Sequence, residues 1–339
     1  MKCKQIVFTE KNKAELLTVD AYEPSPNEVM VKTMVSTISC GTERANITGD
    51  PNVNACGASG VVFPRMSGYN SAGVVIKKGA DVKSVEVGDR VVVYWGCHKD
   101  YNVVPENQVV KIEDDSISFE TAAMSFISTF PMAAIRKTRL EMGESAIVMG
   151  LGILGMIAIK LLHTAGAVPI IAADPNPARR EIALKNGADY AFDPLCEDFA
   201  DNVKKVTGGG VNVAIEVTGV GAGFNEALDC MAKFGRVALL GCTRNSDFTV
   251  DYYKKIHAPG ITVIGAHTIA RPDVESHPGW FTHRDDIKAV LKLCGGGRLC
   301  LEKLIEEIHL PEECTEVYNR LVFDKNFPIV VQFDWRDKQ

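Results

Sequence analysis

The 339-residue sequence carries ten cysteines, at 3, 40, 56, 97, 196, 230, 242, 294, 300 and 314, yet no Cys-x-x-Cys pair. Without paired cysteines at ribbon spacing there is no structural zinc lobe. The scatter instead fits reduced thiols used as small apolar residues in a reducing compartment. No apolar run reaches the roughly 18 residues of a membrane span. The start, MKCKQIVFTEKNK, lacks the apolar stretch of a signal peptide, so a cytoplasmic location is expected. An excess of basic charge is also missing: 37 Lys+Arg against 43 Asp+Glu leave a net charge of −6. That balance speaks against nucleic acid or an anionic membrane surface as partner. Internal repeats and low-complexity tracts are absent too. What is present is a globular composition, 46% hydrophobic and 24% charged, in a chain long enough for two domains.

The amino-terminal part, to about residue 126, reads as β-rich. Val29–Val35 and Arg90–Tyr94 are strand-like, and Val82–Val92 has a Gly-Asp turn between valine-rich runs, a hairpin-like signal. From Ser145 the rhythm becomes strand, glycine turn, helix, strand. "SAIVMG", "VPIIAAD", "VNVAIEVTG", "RVALLG" and "ITVIGAH" are apolar strands with helical stretches between them. Repeated units of this kind predict a parallel sheet buried on both faces. After about residue 268 come a helix, "HRDDIKAVLKLCGGG", and a last strand, "FPIVVQFDW".

Gly150-Leu-Gly152-Ile153-Leu154-Gly155 follows a strand and opens a helix, the context that gives a GxGxxG run meaning. Its glycines allow a tight turn, close approach of a pyrophosphate and close helix–strand packing, with the helix N-terminus facing the phosphates. Asp174 ends the next strand, 24 residues after Gly150, where a carboxylate binds a ribose 2′-OH and repels a 2′-phosphate. NAD(H) is the expected cofactor. Asp174 could also merely cap its turn. Arg179 could run along the adenosine edge or be an ordinary solvated helix arginine.

These features resemble the medium-chain dehydrogenase/reductase superfamily, and its alcohol, polyol and threonine dehydrogenase branch in particular. "SCGTERANITG", "GYNSAGVV", "VGDRVVV", "LEMGESAIVMGLGILG" and "ARREIALKNGADYAFDP" each resemble a segment of that branch, in the right order. The resemblance implies an α/β protein with a GroES-like β-rich catalytic domain, 1–126 and 268–339. A Rossmann domain with a doubly wound parallel sheet would occupy 127–267. It further implies a small-molecule substrate and a homodimer or homotetramer, and it places Thr129, Thr218, Gly219 and Gly241 near the nicotinamide.

The departures fall on the metal. The branch's catalytic zinc would be held at Cys40, at the position of Tyr69 and at about Ser125, with Asn70 where an acid neighbours the site. Phenol, amide and hydroxyl groups are poor zinc ligands, so neither catalytic nor structural zinc is expected. Hydride transfer to or from a carbonyl still needs a donor on its oxygen. The resemblance places Thr42 on that oxygen, and Tyr69 would project toward it from the old ligand position; a turn cap and an aromatic plug are their plain alternatives. His267, in "VIGAHT", could act as acid or base or bind a polar substrate, or be a structural histidine. Glu43 could orient neighbours, join a proton path or form a structural salt bridge. Trp95 is either a pocket wall or core, Cys40 a small filler of the pocket region, and His98 is expected on the surface.

The first reading is a zinc-independent, NAD-dependent oxidoreductase acting on a hydroxyl/carbonyl pair, in a polyol or sugar-like molecule. A second is reduction of a quinone or activated alkene, which needs little polarisation. A third is an NAD-binding protein whose catalysis has been lost.

Overall fold

The computed structural model describes residues 1–50, 53 and 60–336; Cys56 lies outside the described residues. The chain divides into two compact units, Met1–Ile127 with His283–Gln339, and Ser128–Thr282.

The first unit opens with β1 (Lys2–Glu10) and β2 (Lys13–Asp20), an antiparallel pair extended by β4 (Arg65–Met66). β3 (Glu28–Thr37) leads into α1 (Cys40–Thr48). It pairs antiparallel with β5 (Asn70–Lys78), which pairs with β6 (Arg90–Tyr94). β7 (Tyr101–Pro105) joins β3, and β8 (Val109–Lys111) joins β6. At Gly73 a Cβ would stand 2.1 Å from the Lys32 carbonyl oxygen, so only glycine lets β3 and β5 approach this closely. Valines alternate inward along these strands and close a core of Val29, Val31, Val75, Val91, Val93 and Val104.

The hairpin expected over Val82–Val92 does not form; only its end, from Arg90, is strand. Val82 and Val85 are buried in the same valine core from a loop, whose carbonyls accept from Lys78 Nζ at 3.3 and 3.4 Å. Burial of two valines, rather than cross-strand pairing, organises that segment. Short helix α2 (Phe119–Ala122), capped by the Ser118 hydroxyl on the Thr121 amide, precedes α3 (Ser125–Thr138).

In the second unit β9 (Ala146–Met149), α4 (Ile153–Ala165), β10 (Ile170–Ala173), α5 (Pro177–Lys185) and β11 (Tyr190–Phe192) alternate as the apolar pattern predicts. α6 (Phe199–Thr207), β12 (Val211–Glu216), α7 (Gly221–Asp229), β13 (Met231–Leu239) and β14 (Thr262–Gly265) follow. The six strands are parallel, in the order β11-β10-β9-β12-β13-β14. Strand order therefore reverses beside β9, the place where open α/β sheets bind ligands.

Residues 268–282 stay with this unit instead of returning to the first at 268. Cations of α3 hold them there. Lys137 Nζ donates to the Gly265 and Ala270 carbonyls at 3.1 and 2.5 Å, and Arg136 lies 3.8 Å over the Phe281 ring. Arg271 donates to the Thr129 carbonyl at 3.0 Å. The first unit resumes with α8 (His283–Gly295), β15 (Ile305–His309), α9 (Cys314–Phe323) and β16 (Val330–Asp334). β16 lies between β15 and β3, completing the larger sheet.

Candidate active site

The glycine loop has the geometry a pyrophosphate requires. Gly150 takes a φ of +95°, and a Cβ there would press on Thr218 Cγ2 at 3.0 Å. A Cβ on Gly155 would sit 1.9 Å from the Gly150 carbonyl oxygen, so that glycine lets α4 close onto β9. Gly152 begins α4 with no side-chain cap, leaving the amides of Ile153 and Leu154 for an incoming anion.

Asp174 is buried at the end of β10. One carboxylate oxygen accepts from the Leu151 amide and the other from the Asn176 amide, both at 2.8 Å. Each oxygen keeps a lone pair for a ribose hydroxyl. Arg179 Nη1 stands 4.0 Å from the same carboxylate.

Beyond β12, Glu216 was missed by the sequence reading. Its buried carboxylate accepts from the Thr218 amide at 2.7 Å, the Gly219 amide at 3.2 Å and the Thr218 hydroxyl. Burial pushes its pKa up, partly offset by those donors. The turn it holds packs against the next one: a Cβ on Gly241 would meet the Gly219 nitrogen at 2.4 Å. Thr218, Gly219, Gly241 and Gly150 thus form one tight group at the carboxyl ends of the sheet. The only hint of Glu216 in sequence is an acid ending an apolar strand, as Asp174 does. Thr129 is fully buried in α3. These residues fit a dinucleotide in shape and in donor chemistry.

In the first unit, Thr42, Glu43, Tyr69 and Trp95 line one cavity of about 190 Å³, together with Asn46 and Gly68. Four of the expected site residues, from three separate segments, are brought together there. Trp95 is a wall and not core: it is 40% exposed, held at a φ of +61°, with its ring 4.9 Å from Phe126 and 5.8 Å from His283. Tyr69 packs 5.7 Å from both Trp95 and Phe126, and its hydroxyl donates to Ser39 Oγ at 2.5 Å.

His98 corrects the surface expectation. It is completely buried, and its ring joins a closed network with Glu43. Trp335 Nε1 donates to Ser36 Oγ at 2.8 Å, which leaves the Ser36 hydroxyl to donate to His98 Nδ1 at 2.7 Å. The His98 proton then sits on Nε2 and points at Glu43, 3.1 Å away. Glu43 also accepts from the Ser39 amide at 2.8 Å and from the Tyr318 hydroxyl. Tyr318 is held well above its usual pKa by burial and by the Glu43 charge, so it remains a donor.

Three donors, the Ser39 amide, His98 Nε2 and the Tyr318 hydroxyl, hold the Glu43 carboxylate, and the Ser39 hydroxyl in turn accepts from Tyr69. Sequence offered no signal for this: the partners of Glu43 lie 55 and 275 residues away.

Cys40 is half-buried, with Sγ directed at the carbonyls of Pro328 and Ile329 at 3.9 and 3.7 Å. Asn70 and Ser125 are buried, and neither amide atom of Asn70 nor the Ser125 hydroxyl has a hydrogen-bond partner. Each such orphan costs about 1–3 kcal/mol. Among the described residues no three of His, Cys, Asp and Glu group as a metal site. His267 belongs to the second unit. Its Nδ1 accepts from the Ile269 amide at 3.3 Å, leaving the proton on Nε2. Burial, then Arg244 and Lys137, lower its pKa. It is therefore a neutral donor at physiological pH.

Comparison with known proteins agrees with this architecture. Residues 25–114 match the alcohol dehydrogenase GroES-like domain family and residues 154–278 the zinc-binding dehydrogenase family. L-threonine 3-dehydrogenase of Pyrococcus horikoshii is 29% identical over 280 residues, covering 74% of this chain and 79% of the relative. D-guloside 3-dehydrogenase of Escherichia coli is 25% identical over 338 residues, covering 94% and 96%. The crystal structure of 2R,3R-butanediol dehydrogenase from Bacillus subtilis superposes with a TM-score of 0.82 at 23% identity, over 98% of this chain and 99% of that one. No helix among the described residues is long and apolar enough to cross a membrane.

Proposed function

The chain belongs to the medium-chain dehydrogenase/reductase superfamily and is a dehydrogenase-type oxidoreductase, and on that premise we propose that it moves a hydride between NAD(H) and an alcohol/carbonyl pair of a polyol or sugar-like molecule, without zinc. The observation that carries this reading is the cavity lined by Thr42 and Tyr69 beside the Trp95 wall. It lies in the unit whose metal-ligand positions hold Tyr69, Asn70 and Ser125.

The nicotinamide, when bound, supplies the hydride acceptor or donor. Gly150, Gly152 and Gly155 receive its pyrophosphate, with the Ile153 and Leu154 amides as donors. Asp174 accepts from the ribose 2′-OH and disfavours a phosphate there, which supports NAD over NADP. In the alcohol-oxidising direction the hydride leaves carbon and the hydroxyl proton passes to solvent water. Thr42 and Tyr69 hydrogen-bond that oxygen and stabilise the charge that develops on it. Ser39 accepts the Tyr69 proton in the resting arrangement and can donate back when Tyr69 turns to substrate.

Reduction of a quinone or activated alkene has one observation in its favour. The Tyr69 hydroxyl is already bonded to Ser39, and hydride addition to a conjugated carbon would need it less. Following reduced-nicotinamide absorbance with polyols, glycosides, ketones, enones and quinones separates the two readings, with zinc measured in the same preparation. Turnover of hydroxyl/carbonyl pairs by zinc-free protein is expected. Activity that tracks one tightly held zinc per chain, or is confined to enones and quinones, overturns the proposal.

A further inference from the structure

Seven buried side-chain atoms among the described residues lack any hydrogen-bond partner, and three of them belong to Asn70 and Ser125. Asn70 is the first residue of β5, paired in register with Tyr94 on β6. Tyr69, which precedes it in the chain, and Trp95, which follows its ladder partner, both line the cavity described above. Ser125 opens α3, and the next residue, Phe126, packs its ring 5.7 Å from Tyr69 and 5.2 Å from Tyr94. Two fully unpaired polar side chains therefore stand one residue along the chain from two rings, Tyr69 and Phe126, that pack on each other.

Buried polar groups are almost always paired, so something polar completes them when the protein works. An amide offers one acceptor and a pair of donor hydrogens, and the serine hydroxyl can do either. Neither is charged. That set matches a neutral hydroxyl, which both donates and accepts; it gives no counter-charge to an ammonium or carboxylate, whose burial unpaired is costly.

We infer that Asn70 and Ser125 form a neutral polar subsite for a second substrate hydroxyl, next to the carbon that is oxidised, so that the enzyme takes neutral vicinal diols of the polyol or glycoside class in preference to amino acids. The inference rests on the alcohol-oxidising reading and adds to it a substrate class and two specificity-determining residues.

The test compares kcat/KM with NAD for paired compounds: 2,3-butanediol against 2-butanol, and methyl glucoside against its 3-deoxy and 2-deoxy analogues, with L-threonine as the charged candidate. The unmodified protein should prefer the hydroxylated member of at least one pair by about tenfold or more, because a site built to bond a hydroxyl rejects the analogue lacking it. L-threonine should fall below the best neutral diol. Asn70→Leu should collapse that preference toward one, and Ser125→Ala should reduce it less.

Asn70→Leu removes two unpaired groups, so the ligand-free melting temperature should hold or rise; a fall would assign Asn70 to the fold and overturn the inference. No preference in any pair, or a preference that survives Asn70→Leu, overturns it as well and leaves water as the occupant. If the unmodified protein oxidises none of these compounds, 2-butanol included, the alcohol-oxidising reading has failed. The subsite is then read by calorimetric titration with methyl glucoside, and heat that is absent, or unchanged in Asn70→Leu, overturns it independently.

Discussion

The two units have kept different things. In the parallel-sheet unit Gly150, Gly155, Gly219 and Gly241 each have a steric reason to be glycine, and the buried carboxylates of Asp174 and Glu216 are held by backbone amides of the turns they support. In the β-rich unit the fold is equally tight, but Asn70 and Ser125 are buried and unpaired, and Glu43 has been drawn into a network with His98 and Tyr318. A nucleotide phosphate is recognised by backbone geometry, which tolerates few alternatives. A polarising group can be replaced by any donor of suitable reach. Turns held by backbone geometry are therefore legible in the sequence, whereas the side-chain network of the β-rich unit is not.

The sharpest way to break that contrast is Tyr69→Phe. If the site in the β-rich unit works through its hydroxyl, turnover should fall by about 10²- to 10⁴-fold, while NADH affinity measured by fluorescence titration stays nearly constant. Equal losses in both would mean that the two units are not separable in function.

Glu43→Gln comes next, measured by denaturant unfolding. Each hydrogen bond that the buried carboxylate accepts contributes about 1.5–3 kcal/mol, and His98→Ala should cost a similar amount because it removes one of those donors. A change below about 1 kcal/mol, the level of an exposed pair, would show that water enters this network. If Glu43 positions Tyr69 through Ser39, turnover in Glu43→Gln should fall with little change in KM for NAD.

In the other unit Asp174→Ser should narrow the NADH-over-NADPH preference by about tenfold, or 1.4 kcal/mol. A preference for NADPH in the unmodified protein would place the carboxylate off the ribose altogether.

The smallest effect is electrostatic. Glu307 is held down to about 2, chiefly by Arg320 and then His309. A carboxylate whose folded pKa lies below its unfolded one stabilises the fold above the unfolded value and loses that contribution as pH falls through the folded one. Stability should therefore decline between about pH 4.5 and about 2, and the decline should flatten in Glu307→Gln, as thermal melts across that range would show. The pair is partly exposed, so only a modest change is expected.

Much of this protein was legible in advance where information is local. Apolar strands followed by glycine turns and helices, the Gly150–Gly155 loop and Asp174 at its strand end all act through neighbours close in the chain, and their spacing reveals them. Other assignments needed the folded chain. Residues 268–282 belong to the parallel-sheet unit because Lys137, Arg136 and Arg271 bind them, contacts no periodicity encodes. Val82 and Val85 read as strand because burial and strand pairing select the same residue type.

What the sequence by itself determined is the pair of folds and the glycine loop, since each depends on residue type at short spacing. Tertiary structure alone decided that His98 is a core residue bonded to Glu43, that Thr42, Tyr69 and Trp95 share a cavity, and that Asn70 is left without a side-chain partner. Those outcomes depend on which side chains meet across tens or hundreds of residues, and a hydrogen bond forms only between groups that the fold brings within about 3 Å of each other.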